Sequence, residues 1–136
     1  MANNLAAREQ SWCENLDLFD SWQDKYQFIM DCGRKLDSLP VSERHVELLV
    51  RGCQSQVWMD IKLENDLLFV KADSDALVVK GLIAILVDIY NAQKLCDIVE
   101  YDHKFAIRLG LSEHLSPTRA NGLYAMLSKI KSEVHI

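Results

Sequence analysis

The sequence predicts an α+β fold, with a three-stranded antiparallel sheet packed against helices. Three observations carry this. A period of two runs through residues 46–72, a strongly apolar helix follows it, and a proline-initiated helix closes the chain. The chain has 136 residues and reads as a single domain spanning 1–136, since one domain takes roughly 100–200 residues.

Residues 1–18 show no clear period and read as a loose N-terminal segment. Ser21 is placed to cap a helix running to about Leu36. Trp22, Tyr26, Ile29, Met30 and Gly33 recur at helical spacing and form one stripe, and Pro40 stops it. Val46, Leu48 and Val50 alternate with Glu47 and Arg51 and predict a first strand. Gly52-Cys53-Gln54 makes a turn, and Val57, Met59, Ile61 and Leu63 form the apolar face of a second strand. Asn65-Asp66 is a pair that tolerates positive φ in a tight turn, and Leu67–Ala72 is the third strand.

Asp73 or Ser74 is positioned to cap a helix from about Asp75 to Tyr90. That helix is apolar nearly all round and so is expected at the centre. Gln93–Asp97 reads as a polar connection, and His103–Gly110 as a short helical piece. Ser116-Pro117 opens the last helix, whose buried stripe is Leu123, Met126, Leu127, Ile130 and Val134.

Charge narrows the function. Lys plus Arg number 15 against 20 Asp plus Glu, a net charge of −5. Such a chain lacks the basic footprint of a nucleic-acid binder and the basic face that draws a protein to an anionic membrane. The longest apolar run, Gly81–Val87, is bounded by Lys80 and Asp88, far short of the roughly 18–20 residues that span a bilayer. The N-terminus lacks the pattern of a secretory signal, so a cytoplasmic location with reduced thiols is expected. The cysteines are Cys13, Cys32, Cys53 and Cys96. No Cys-x-x-Cys or His-x-x-x-His occurs, so no metal site is expected.

Cys53 alone is placed like a reagent. It lies in a turn rather than on a periodic apolar face, Gly52 frees the backbone before it, and Arg51 would favour the thiolate if it pointed inward. A quiet turn cysteine is the competing reading. The histidines (His45, His103, His114 and His135) are scattered, so a Cys–His hydrolase requires the fold to bring one close. Asp73/Asp75 reads as a helix cap and Glu100/Asp102 as a solvated loop. Arg119, in the first turn of the last helix, opposes the helix dipole and suits an acidic partner group or a plain surface role.

Gly52-Cys53-Gln54-Ser55-Gln56-Val57-Trp58 resembles the active turn of the SufE family, sulfur acceptors of iron–sulfur cluster assembly. Phe19-Asp20-Ser21-Trp22 with Lys25-Tyr26, Ala72-Asp73-Ser74-Asp75-Ala76 with Val79–Ala84, and Leu109–Ser112 with His114–Arg119 and Asn121-Gly122-Leu123 resemble further family blocks in order. The likeness covers about residues 19–131. Arg51 and Ala72 depart from the family pattern, and the residues after the Gly-Cys pair favour SufE proper over the related CsdE branch.

The resemblance implies a SufE/IscU-like fold and a sulfur carrier. Cys53 would accept persulfide sulfur from a SufS-type cysteine desulfurase, stimulate that enzyme, and pass the sulfur to a SufBCD scaffold. Arg51, Gly52, Gln54 and Ser55 would form the active loop, and Asp73, Asp75 and Arg119 would support it or meet the partner. Pyridoxal phosphate would belong to the desulfurase, leaving this chain without a cofactor of its own. In the family the cysteine's turn tucks into an apolar pocket and swings out on the partner, and homodimers occur. A thiol-based redox sensor and a non-catalytic interaction module are the alternatives.

Overall fold

The computed structural model describes residues 3–37 and 39–136. In chain order the elements are α1 (Asn4–Asp17), α2 (Trp22–Arg34), β1 (Val57–Glu64), β2 (Leu67–Ser74), α3 (Leu77–Tyr90), β3 (Gln93–Lys94), α4 (Leu95–Glu100), α5 (Phe105–Arg108), α6 (Leu111–His114) and α7 (Pro117–Glu133). The sheet is antiparallel in the order β1-β2-β3. The α+β architecture with a three-stranded antiparallel sheet is therefore as the sequence predicts. Among the described residues, no helix is long and apolar enough to cross a membrane.

The identity of the strands differs from the expectation. Residues 46–50 do not form a strand: Val46–Leu48 is a 3₁₀ turn, and only Leu49 makes a β-bridge, to Trp58. Val46 is exposed, so the alternation there marks no common buried face. The Leu48 and Leu49 N–H groups turn back to the His45 and Val46 carbonyls, and the Lys129 ammonium donates to the carbonyls of Leu48 (3.3 Å) and Met59 (3.0 Å). The third strand is instead Gln93–Lys94, within the stretch read as a polar connection. It pairs with Leu67 and Leu68, and Ala92 feeds it with φ 60°. A two-residue strand is too short to show a period. The Asn65-Asp66 turn forms as expected, with φ of 55° and 63°.

The N-terminal segment is a helix rather than loose chain. Asn3 caps α1 by accepting from the Leu5 N–H at 2.9 Å. The buried stripe is Leu5, Glu9, Trp12 and Leu16, so a glutamate stands where the helical period needs an apolar residue. Its partners lie far along the chain. The Tyr101 hydroxyl and Arg108 Nη1 (2.8 Å) both donate to Glu9 Oε1, and Trp12 Nε1 donates to Asp88 at 2.8 Å. A buried charge hides the stripe from local reading and becomes tolerable only through these distant donors.

The apolar helix α3 is central, packed against α1, α2 and β2. Its closest approach is to α2. A Cβ built on Gly33 would lie 2.6 Å from the Gly81 backbone nitrogen, and one on Gly81 would lie 2.8 Å from the Ile29 carbonyl oxygen. The two backbones touch there, and only glycine fits. At the C-terminal end, Ser116 caps α7 and Pro117 occupies its first turn, as expected.

Asp73 joins several of these parts. It is the last residue but one of β2 and wholly buried, and α3 begins later, at Leu77, so Asp73-Ser74-Asp75 is not the helix cap. The carboxylate accepts from the Leu39 N–H (2.9 Å), the Ser74 N–H (2.8 Å) and Arg44 (2.9 Å), and Lys80 Nζ lies 3.3 Å away. Arg44 also stacks over Trp58, 4.9 Å from the ring centre. Burial pushes the Asp73 carboxyl up. The N–H groups of Ser74 and Leu39 and the Lys80 ammonium outweigh this and hold it below the ordinary carboxylate range.

Two outcomes follow. Gly33→Ala should cost about 3 kcal/mol of unfolding free energy in denaturant titration, because the new methyl meets backbone that cannot move aside. Asp73→Asn should cost about 3 kcal/mol at neutral pH, because it leaves Arg44 and Lys80 half-buried without their counter-charge. The folded-state pKa of Asp73 is depressed, so its contribution is present above the unfolded value and lost as pH falls through the folded one. The gap between wild type and Asp73→Asn should therefore close on acidification; a gap constant from pH 7 to pH 2 would contradict this.

Candidate active-site loop

The turn carrying Cys53 spans residues 51–56, between Val50 and β1. Gly52 takes φ 93°, a left-handed conformation closed to most side chains, which lets the chain reverse in so few residues. The Val50 N–H donates to the Val57 carbonyl at 2.8 Å and closes the base of the loop.

On its outgoing side the loop is bolted to the end of β2. The Asp75 carboxylate accepts from the Gln56 N–H at 3.1 Å. The Gln56 carbonyl accepts from Ser74 Oγ (2.7 Å) and from the Asp75 N–H (3.4 Å). The two carboxylates hold different parts of this region. Asp75 holds the loop directly, while Asp73 is buried and holds the strand end that presents Asp75. Ser74 is a site residue that sequence reasoning assigned to a helix cap.

The tip of the loop lies on α7. Cys53 is half-buried, its Sγ 3.6 Å from the Gly122 carbonyl oxygen. A cavity of about 620 Å³ opens beside it, between the loop, α2, α3 and the first turns of α7. Cys53, Gln54 and Ser55 form one wall, Val79, Leu82, Leu123 and Met126 an apolar wall, and Arg119 the rim. Arg119 is exposed and makes no ion pair among the described residues. No histidine and no second cysteine lines the cavity among the described residues, so neither a Cys–His pair nor a resolving cysteine is assembled there.

Burial is what moves the Cys53 thiol, and it pushes the pKa up. Arg51 is exposed and does not act on it, contrary to the inward-pointing arrangement that would have favoured the thiolate. The docked Cys53 is therefore a protected thiol rather than an activated one. Cys13 and Cys32 are half-buried on helices α1 and α2, and Cys96 is exposed on α4.

Residues 10–134 match the family described as SufE, Fe-S metabolism associated domain. An uncharacterized SufE-like protein of Rhizobium meliloti (strain 1021) is 37% identical over 125 residues, covering 88% of this chain and 89% of that protein. The solution structure of a hypothetical protein from Thermus thermophilus superimposes with a TM-score of 0.75 at 21% identity, over 94% of this chain and 93% of that one. The structural likeness speaks to the fold, and the family match and the relative speak to lineage. A cysteine loop docked beside a cavity, on a fold matched over nearly its whole length, thus sits within a known group: the chain belongs to the SufE family, associated with iron–sulfur metabolism.

Proposed function

We propose that this protein is a sulfur acceptor in iron–sulfur cluster assembly, with Cys53 as the accepting thiol. The observation that carries the reading is the position of Cys53. It sits on a short loop at a cavity mouth, whereas Cys13, Cys32 and Cys96 lie on helices. The donor is the persulfide of a SufS-type cysteine desulfurase, whose pyridoxal phosphate belongs to that enzyme.

The step is an exchange at sulfur. Cys53 loses its proton to solvent, and the thiolate attacks the outer sulfur of the donor persulfide. A new S–S bond forms on Cys53, the donor's S–S bond breaks, and the donor cysteine leaves as a thiolate. The sulfane sulfur moves without net oxidation or reduction. A SufBCD-type scaffold is the onward recipient. The exposed Arg119 at the cavity rim is suited to an acidic group of the desulfurase, and Asp75 keeps the loop in register for that encounter.

The raised pKa of Cys53 fits a carrier that is quiet until it meets its partner. The thiol stays protonated while the loop lies on α7, and the thiolate becomes accessible when the loop lifts away. A redox sensor would need a partner thiol, and none lines the cavity among the described residues.

Incubation with a SufS-type desulfurase and free cysteine should add one sulfur atom to the protein by intact mass. The addition should be removable by reductant and absent from Cys53→Ser. Desulfurase turnover that rises equally with both variants would instead favour a binding module. Independently, the pH profile of Cys53 alkylation in the folded protein should have its midpoint above that of the urea-unfolded chain, because burial disfavours the thiolate. A folded midpoint at or below the unfolded one would sink the protected-thiol reading.

A further inference from the structure

The ties on the two sides of the Cys53 loop are unequal. The outgoing side is fixed at Gln56 by Asp75 and Ser74. The incoming side, residues 48–50, has the Val50 N–H bond to Val57, the Leu49–Trp58 bridge and one side-chain tie, from Lys129. Lys129 is half-buried on α7 and makes no ion pair among the described residues. Its ammonium donates to backbone carbonyls on both arms of the loop, Leu48 and Met59. Burial pulls its pKa down, with the Glu133 and Asp60 carboxylates acting the other way.

Lys129 also falls on the same stripe of α7 as the other loop contacts. Gly122 lies under the Cys53 sulfur and Ala125 under Gly52, and Lys129 follows at helical spacing under Leu48. One face of a single helix thus carries the loop from tip to base. The tip contact is weak, a long thiol–carbonyl approach. The base contact is charge-assisted, a class worth about twice a neutral hydrogen bond.

We infer that Lys129 is a positioning residue, a latch that holds the incoming arm of the Cys53 loop against α7 and sets how often the loop opens about its fixed point at Gln56. The inference rests on reading Cys53 as the working thiol, but its test needs no desulfurase. Site-resolved alkylation by iodoacetamide, read by peptide mass spectrometry, follows each cysteine separately. Lys129→Met keeps the aliphatic stem and removes the donors. It should speed alkylation of Cys53 by about tenfold, roughly what one charge-assisted hydrogen bond is worth, and leave Cys13 and Cys32 unchanged. Lys129→Arg keeps donors in reach and should restore most of the protection. An unchanged Cys53 rate in Lys129→Met would overturn the latch. A parallel rise at Cys13 and Cys32 would also overturn it, because that reports loss of global stability. Faster alkylation in Lys129→Met, with no sulfur taken up by wild type from the desulfurase, would uphold the latch and reject the sulfur-acceptor reading.

Discussion

The buried carboxylate of Asp73 is the constraint on which the site depends. A fully buried carboxylate is tolerated only where its charge is met and its lone pairs are occupied. Here that demand draws in the connector through Leu39 and Arg44, the central helix through Lys80, and the end of β2 through Ser74. The next two residues, Ser74 and Asp75, are thereby fixed in space, and they hold Gln56 at the base of the cysteine loop. Electrostatic satisfaction in the interior thus becomes positional accuracy at the surface.

The glycine crossing of α2 and α3 acts on the other side of the cavity. Backbone contact at Gly33 and Gly81 sets the spacing of the two helices that contribute Met30 and Leu77, Val78, Val79 and Leu82 to the cavity wall. A wider crossing would change the space beside Cys53. The cavity is therefore a consequence of how closely two backbones approach, and the side chains lining it are mostly apolar.

Much of this was legible in the sequence, and the failures share a cause. Ser21, Asn65-Asp66 and Ser116-Pro117 act through neighbours a few residues away, so their patterns can be read directly. Cys53 stood out because it interrupts a period. What stayed hidden depends on partners distant in sequence. The stripe of α1 contains Glu9, whose donors are Tyr101 and Arg108. Residues 46–50 suggest a strand, but the Leu48 and Leu49 N–H groups turn back to the His45 and Val46 carbonyls, and an ammonium from α7 bonds the Leu48 and Met59 carbonyls. Asp73-Ser74-Asp75 has the composition of a helix cap and instead serves a buried ion cluster and a loop. Polar residues are ambiguous because one group can answer several demands, and only the fold decides which.

A carrier of reactive sulfur, the role proposed for this protein, faces opposed requirements. Its thiol must ionise and reach an in-line geometry at the donor, yet stay unreactive between encounters. Burial satisfies the second requirement at the cost of the first, since desolvation raises the thiol's pKa. A permanently exposed, activated cysteine would satisfy only the first. A loop fixed on its outgoing side and lightly held on its incoming side reconciles the two, because opening then needs few contacts broken and the cysteine swings from a defined point. The long Sγ to Gly122 approach suits such a loosely docked tip. On this view the contacts that matter for transfer are those on α7, which set the balance between the protected and the reachable thiol.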